Sequence, residues 1–257
     1  MTLNHQITGT DDGLPVLMVH GLFGQGRNLG ALARRLAERR RVVTVDMRNH
    51  GDSFHDADHG YPALAGDLAQ VIADLGGRVD VVGHSMGGKA SMVLALTQPE
   101  RVRRLAVMDI APVAYGHSQT ALIDAMEGLD LSAIDRRSAA DAALAQAIDE
   151  PGVRAFLLQS LDLKSDPKAW RLNLPALRDQ MGNLVGWPEG LPRATFDGPV
   201  LEIAGETSEY VTDAGQAALR SYFPQARVVR VKGAGHWLHA DAPEAVAQIL
   251  VSYLGDG

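Results

Sequence analysis

Residues 79–89 read VDVVGHSMGGK and give the strongest structural signal in this sequence. A β-branched run leads directly into Gly-x-Ser-x-Gly, and a segment rich in Ala, Met and Leu follows. This order predicts a strand, a tight turn and a helix, the arrangement in which a turn presents a nucleophilic serine. Gly83 and Gly87 suit such a turn because a Cβ at either position would clash where the two residues meet. The pattern therefore makes Ser85 the candidate nucleophile.

Apolar, strand-like runs alternate with amphipathic helical patterns on both sides of this segment. The alternation indicates a mostly parallel central sheet with helices on both faces, because parallel strands buried on two sides are nearly continuously apolar. The predicted strands are an edge strand, Leu3–Ile7, and six others, Val16–Val19, Val42–Asp46, Val79–Val82, Leu105–Asp109, Val200–Ala204 and Arg227–Val231.

The alternation is interrupted between Tyr115 and Leu191, where only helical patterns occur. We therefore predict one core domain, residues 1–114 and 192–257, with residues 115–191 inserted as a helical cap. An insertion at the carboxyl edge of a parallel sheet covers the place where such folds bind ligands. The predicted cap helices are Thr120–Met126, Ala139–Ile148, Val153–Leu161 and Pro175–Val185.

A base for Ser85 is found after the last predicted strand, in the loop 232–237, which reads KGAGHW. A serine hydroxyl is a poor nucleophile unless a base takes its proton and a third group orients that base. His236 lies at the same sheet edge as Ser85, and the small residues before it allow a close approach. We therefore predict that His236 is the base.

The acid that orients His236 has more than one candidate. Asp109 ends the predicted strand Leu105–Asp109. Glu206 and Glu209 follow the predicted strand Val200–Ala204, in a turn that reads GETSEY. Either position reaches the same histidine, because adjacent strand ends are only about 5 Å apart. We predict Asp109 as the acid, with the two glutamates as alternatives and Ser208 as an auxiliary hydrogen-bonding group.

The loop 20–24, HGLFG, follows the predicted strand Val16–Val19 and presents backbone N–H groups at the same edge of the sheet. The N–H groups of Leu22 and Met86 are predicted to form an oxyanion hole, which stabilises acyl transfer by several kcal/mol.

An apolar pocket for an acyl group is expected beside these residues. Lys89 follows Ser85 within the predicted helix. The sequence allows two roles for it, a charge on the protein surface or a contact to an anionic group of the substrate. Packing between cap and core is the alternative role for the cap tryptophans. The predicted pocket residues are Phe23, Trp187 and Trp237.

The composition narrows the function classes. The 257 residues carry a net charge of −7 and no cysteine, which argues against a nucleic-acid binder and rules out thiolate nucleophiles and disulfides. The N-terminal residues 1–5 lack the basic and apolar regions of a secretory signal, and no apolar run approaches a membrane span. We therefore expect a cytoplasmic protein with no membrane span.

Two other patterns compete with this interpretation. Gly24, Gly26 and Gly30 between a strand and a helix resemble an NAD(P)-binding fingerprint, with Asp46 where a ribose-binding acid would lie. That interpretation leaves Ser85 and the histidine loop unexplained. The cluster 55–59, HDADH, has metal-ligand residue types, but it lies in a predicted loop without a second ligand group, so we predict no metal site.

Taken together, the motifs resemble the α/β-hydrolase superfamily and, within it, the YbfF-like esterases. The Arg-Asn-His-Gly version of the second motif is the more discriminating feature, and the resemblance is weakest in residues 115–191. The motifs that carry it are HGLFG (20–24), DMRNHGDS (46–53), GHSMGGK (83–89) and AGHWLH (234–239).

The resemblance implies hydrolysis of carboxylic esters and acyl thioesters, including acyl-CoA, through an acyl-serine intermediate and without a cofactor. It is also consistent with an Asp after the earlier strand and a hydroxyl after the later one, as at Asp109 and Ser208. The same triad also serves haloperoxidase-like enzymes and C–C bond hydrolases, and the fold also occurs in non-catalytic small-molecule binding modules.

Overall fold

The computed structural model describes residues 1–10, 13–191 and 195–255, so the predicted core boundary at residue 192 lies outside the described part. No helix in these ranges is both long and apolar enough to cross a membrane. The strands found there are β1 (His5–Thr8), β2 (Val16–Val19), β3 (Val42–Val45), β4 (Val79–His84), β5 (Val102–Met108), β6 (Leu161–Asp162), β7 (Ala169–Trp170), β8 (Val200–Gly205) and β9 (Ala226–Val231). The helices are α1 (Gly30–Ala37), α2 (Tyr61–Asp74), α3 (Met86–Thr97), α4 (Thr120–Glu127), α5 (Arg137–Leu144), α6 (Pro151–Leu157), α7 (Leu174–Asp179), α8 (Met181–Val185), α9 (Asp213–Tyr222), α10 (Leu238–Asp241) and α11 (Pro243–Leu254).

The main sheet has the order β1-β3-β2-β4-β5-β8-β9. Its pairs are parallel except the edge pair of β1 with β3, which is antiparallel. The predicted mostly parallel α/β sheet is therefore confirmed, with strand ends shifted by a few residues. One shift matters for the site, because β5 ends at Met108 and leaves Asp109 directly after the strand.

The sheet is buried on both faces, and β2 shows why its sequence is continuously apolar. Leu17 and Val19 point into the core shared with α2 and α3, whereas Val16 and Met18 point into the core shared with α1 and α11. Alternate side chains of a strand face opposite sides, so both sets need apolar residues. Burying each such side chain contributes roughly 1.5–3 kcal/mol. Helices on both faces leave the carboxyl ends of the strands as the open edge.

Residues 115–191, which we call the cap segment, lie between β5 and β8 and contain α4 to α8. The expectation of a strand-free cap segment is wrong, because β6 and β7 form a two-residue antiparallel hairpin. Two residue pairs are too few to produce a recognisable alternation in the sequence. The predicted helix Val153–Leu161 ends earlier, at Leu157, because a 3-10 turn leads from there into the hairpin. The predicted helix Pro175–Val185 is divided into α7 and α8 at Gln180.

Candidate active site

Ser85 lies in a sharp turn between β4 and α3, with φ 52° and ψ −120°. A positive φ is costly for a residue with a side chain, so the surrounding structure has to impose it. A Cβ built on Gly83 would lie 2.5 Å from the carbonyl oxygen of Gly87, and one on Gly87 would lie 2.6 Å from that of Val19. The two glycines therefore make the turn possible, and the turn raises the Ser85 side chain above the sheet edge.

The structure brings the three predicted residues Ser85, His236 and Asp109 together. His236 Nε2 lies 3.0 Å from Ser85 Oγ, and its Nδ1 lies 2.8 Å from Asp109 Oδ2. A carboxylate on Nδ1 fixes the tautomer in which Nε2 accepts the serine proton. The arrangement can therefore activate the hydroxyl.

His84, which the sequence analysis did not single out, supports the histidine loop. Its Nε2–H donates to the carbonyl of His236 at 2.9 Å. Burial lowers the pKa of His84 well below its ordinary value, and the nearby His239 and His236 lower it further. The ring is therefore neutral and holds the loop in place beside Ser85.

Asp109 accepts hydrogen bonds on both carboxylate oxygens. The Gly205 N–H donates to Oδ1 at 2.8 Å, and the Ser208 hydroxyl donates to Oδ2, which also faces His236. Three donors around a fully buried carboxylate hold its orientation. Glu206 and Glu209 are exposed, and Glu206 instead accepts from the backbone of Gly233 at 2.8 Å. The geometry thus favours Asp109 over both glutamates, with Ser208 beside it.

A second buried carboxyl group, Glu202 of β8, lies close to Asp109. Burial and the neighbouring Asp109 carboxylate raise the pKa of Glu202 well above its ordinary value, which favours its protonated form. The only sequence signal for this group is one acid in the apolar run VLEIAG.

The predicted oxyanion donors, Leu22 and Met86, both line the cavity beside Ser85. Met86 is the first residue of α3, so its N–H has no partner within the helix and lies at the positive end of the helix dipole. The loop that carries Leu22 packs directly on the turn, since a Cβ on Gly21 would lie 3.1 Å from Ser85 Cβ. Both N–H groups therefore belong to backbone that adjoins the serine.

Asp46, the ribose-binding candidate of the NAD(P) interpretation, is committed to the backbone of two loops. Its carboxylate accepts from Gly26 N–H at 2.8 Å, Asp52 N–H at 3.0 Å and the Asn4 side chain at 2.9 Å. Arg48, two residues further along this loop, forms its ion pair with Asp67 and not with Asp46. Three donors from the protein already bind the Asp46 carboxylate, which argues against a role in holding a ribose and thus against an NAD(P) site.

A cavity of about 580 Å³ opens at Ser85 between the sheet edge and the cap segment. Its volume falls within the range of small-molecule sites, about 300–1,000 Å³. Phe23 and Trp237 line it, but Trp187 does not: its ring packs against Tyr222 of α9, with centroids 5.5 Å apart. Of the two roles considered for Trp187, the structure therefore shows packing between the cap segment and the core. The other apolar lining residues are Leu22, Met86, Ile110, Leu122, Ile148, Val153, Phe156, Leu157, Met181, Leu184 and Val185.

Lys89 is buried at the cavity wall, so the interpretation as a surface charge is wrong. Its ammonium donates to the carbonyls of Val185 at 3.1 Å and Gly186 at 2.5 Å, both in the cap segment. It also lies 4.7 Å from the ring centroid of Tyr115. Burial lowers the pKa of Lys89 to about 7. The side chain therefore connects the helix after Ser85 to the cap segment.

Within the described ranges, a metal site would need several His, Asp or Glu side chains close together. No group of three or more His, Asp or Glu side chains there has the geometry to hold a metal ion. His59 of the cluster 55–59 is buried, and its Nδ1 accepts from the Asn49 side chain at 3.1 Å.

Comparison with known proteins shows the family of this chain. Residues 15–243 match the family model described as alpha/beta hydrolase fold. The chain is 41% identical to the Esterase YbfF of Escherichia coli over 94% of this chain and 93% of that one. It is 38% identical to the mouse (Mus musculus) sn-1-specific diacylglycerol lipase ABHD11 over 99% of this chain and 85% of that one.

Solved structures show the same architecture. A marine microorganism esterase superposes with a TM-score of 0.93 at 33% identity, covering 98% of this chain and 99% of that one. The predicted family and fold are thus confirmed. The chain belongs to the α/β-hydrolase family and, within it, resembles the YbfF-like esterases.

Proposed function

We propose that this protein hydrolyses carboxylic esters of apolar acyl groups through an acyl-serine intermediate. The observation that carries the proposal is the hydrogen-bonded set Ser85, His236 and Asp109 at the mouth of an apolar cavity. The names of the relatives, esterase and diacylglycerol lipase, support the same chemistry.

The reaction follows from the geometry. Ser85 Oγ attacks the acyl carbon while His236 Nε2 takes the hydroxyl proton, and the N–H groups of Leu22 and Met86 donate to the oxyanion. The alcohol leaves with the proton from His236. A water molecule then loses a proton to His236 and attacks the acyl-serine carbonyl. As the bond to Ser85 Oγ breaks and the carboxylic acid leaves, His236 gives this proton to Oγ and restores the serine hydroxyl. No cofactor takes part in these steps.

The substrate range follows from the cavity. Its mostly apolar wall fits an acyl chain, and the same attack also cleaves a thioester, so acyl-CoA hydrolysis stays a prediction of the same site. The cytoplasmic location likewise stays a prediction.

A panel of p-nitrophenyl esters from acetyl to palmitoyl, together with matched acyl-CoA thioesters, tests the proposal. We expect the wild type to turn over at least one ester, with Ser85→Ala and His236→Ala inactive. Cleavage of esters but not of thioesters would restrict the substrate class to carboxylic esters. If the wild type cleaves no member and forms no adduct with a fluorophosphonate, the proposal is wrong and the site is a binding module. An adduct without turnover would favour a C–C bond hydrolase or a haloperoxidase-like enzyme.

A further inference from the structure

We propose that His50 and Ser160 are positioning residues that hold Phe23 from its two sides, so that docking of the cap segment completes the oxyanion hole. The inference rests on the proposed function, since it concerns the donor Leu22. It assigns a role to the Arg-Asn-His-Gly motif that the reaction itself leaves unused.

Phe23 occupies a position that normally needs glycine. Residues 21–24 form a β-turn closed by a hydrogen bond of 3.0 Å from Gly24 N–H to the Gly21 carbonyl. Phe23, the third residue of the turn, has φ 62°, and a positive φ there is typical of a type II turn, which favours glycine. For a phenylalanine this conformation costs about 1–3 kcal/mol. The turn therefore needs external bonds to keep it.

His50 supplies the bond on the N–H side. The Phe23 N–H donates to His50 Nε2 at 3.1 Å, while His50 Nδ1–H donates to the Arg48 carbonyl at 2.9 Å. The second bond fixes the tautomer in which Nε2 is an acceptor. Burial lowers the pKa of His50 well below its ordinary value, and the nearby His20 and His59 lower it further. The imidazole thus stays a neutral acceptor at neutral pH.

Ser160 supplies the bond on the carbonyl side. Its hydroxyl donates to the Phe23 carbonyl at 3.0 Å and accepts from the Gln25 side chain at 2.9 Å. Ser160 belongs to the cap segment, in the 3-10 turn before β6, and is buried. A residue of the cap segment therefore bonds directly to the turn that carries Leu22.

The same part of the cap segment also holds the loop of His50. Arg171 N–H donates to the Ser160 carbonyl at 2.7 Å, and Gly51 N–H donates to the Arg171 carbonyl at 2.9 Å. His50 and Leu172 form an antiparallel bridge. Both supports of Phe23 are thus connected through one short strand-like stretch of the cap segment.

The consequence concerns the direction of the Leu22 N–H. If Phe23 relaxed to a negative φ, the peptide that carries the Leu22 carbonyl and the Phe23 N–H would rotate. The adjoining Gly21–Leu22 peptide, which carries the Leu22 N–H and packs on Ser85, would then move with the turn. The structure favours the turn in which Leu22 faces the reacting carbonyl only while the cap segment is docked. Catalysis, rather than ground-state binding, depends on this arrangement.

Two substitutions test the inference. Ser160→Ala removes the donor to the Phe23 carbonyl, and His50→Leu removes the acceptor for its N–H, whereas His50→Gln restores an acceptor near Nε2. The controls are Ser165→Ala in the β6–β7 hairpin, whose hydroxyl donates to the Asp162 carbonyl, and His55→Gln, at an exposed histidine of the same loop. Circular dichroism at the assay temperature establishes that each variant is folded.

The expected result is a loss in kcat with KM retained. Because loss of a whole oxyanion donor costs about 10²–10³ in kcat, we expect its misplacement in Ser160→Ala to cost about 10-fold. Binding of butylboronic acid, which mimics the tetrahedral intermediate, should weaken by a similar factor, while inhibition by the product acid stays unchanged. His50→Leu should lose at least as much, and His50→Gln should recover most of the loss.

The opposite results overturn the inference. If folded Ser160→Ala keeps wild-type kcat and boronate affinity, or if the losses lie in KM alone, the two residues are only structural. Should His50→Leu not fold, Ser160→Ala and His50→Gln decide the question. An inactive wild type would instead overturn the proposed function, which the ester panel detects separately.

Discussion

The ring of Tyr210 stacks on the imidazole of His236, with centroids 4.0 Å apart and planes 20° from parallel. The Tyr115 hydroxyl holds this arrangement by donating to the Tyr210 carbonyl at 2.9 Å. An aromatic face beside an imidazole stabilises the positive charge that the ring acquires when it takes the serine proton. Tyr210 therefore supports the charged state of His236 during the reaction.

Replacing this ring should slow the chemical step. Cation–π contacts contribute about 0.5–2 kcal/mol, so Tyr210→Leu should lower kcat/KM by about 2- to 30-fold. Tyr210→Phe keeps the ring and loses only the hydroxyl that lies 2.8 Å from His117 Nε2, so its rate should stay close to wild type. Ester hydrolysis by the two variants distinguishes the ring from the hydroxyl, and equal rates would contradict the role of stacking.

The acid assignment can be tested by three isosteric changes. Asp109→Asn removes the charge that orients His236 and should lower kcat by about 10³- to 10⁴-fold. Glu206→Gln and Glu209→Gln change exposed side chains and should leave the rate near wild type. An active Asp109→Asn combined with an inactive glutamate variant would transfer the role to that glutamate.

Acid should destabilise the fold through its buried histidines. Burial, followed by the nearby Arg48, lowers the pKa of His59 to about 3, whereas an unfolded histidine titrates near 6.5. Between these values the unfolded chain binds more protons, so the free energy of unfolding falls as the pH drops from 6.5 towards 3. Each such site contributes a slope of up to about 1.4 kcal/mol per pH unit.

Urea unfolding at pH 7, 6, 5 and 4 measures this slope. As the pH falls, the free energy of unfolding of His59→Gln should decline less steeply than that of the wild type. The difference in slope should correspond to about one bound proton. His55→Gln, at an exposed histidine four residues away, serves as the control and should keep the wild-type slope. A wild-type slope in His59→Gln would show that His59 is not the group that titrates.

Lys89 should control how firmly the cap segment is docked. Lys89→Met removes the donor to the Val185 and Gly186 carbonyls. At pH 6, below the Lys89 pKa of about 7, the donor is charged, and hydrogen bonds from a charged donor contribute about 1.5–3 kcal/mol. Amide hydrogen exchange in α8 should therefore become at least about 10-fold faster. Lys164→Met, at an exposed lysine of the hairpin, should leave that exchange rate unchanged. Unchanged exchange in Lys89→Met would contradict the connection.

The core of the site could be predicted because parallel strands end at one edge. Ser85, Asp109 and His236 each follow a parallel strand of the sheet, so the carboxyl ends of β4, β5 and β9 bring them to the same edge. The turn at Ser85 also follows from local chemistry, since only glycine fits at positions 83 and 87.

The remaining features depend on contacts between distant segments. The bond from Ser160 to Phe23 joins residues 137 positions apart, and no local pattern encodes it. Trp187 has a side chain typical of apolar pockets, yet it packs against Tyr222 of α9 and does not line the cavity. The β6–β7 hairpin pairs only two residues on each strand, which is too short for a periodic signal.

The central claim is that Ser85 is the nucleophile, and intact-protein mass spectrometry after treatment with a fluorophosphonate tests it most directly. We predict one adduct on the wild type, located by peptide mapping to Ser85, and none on Ser85→Ala. His236→Ala should label far more slowly than the wild type, because the base no longer activates the hydroxyl. A wild type that stays unlabelled, or an adduct that persists in Ser85→Ala, would contradict the account.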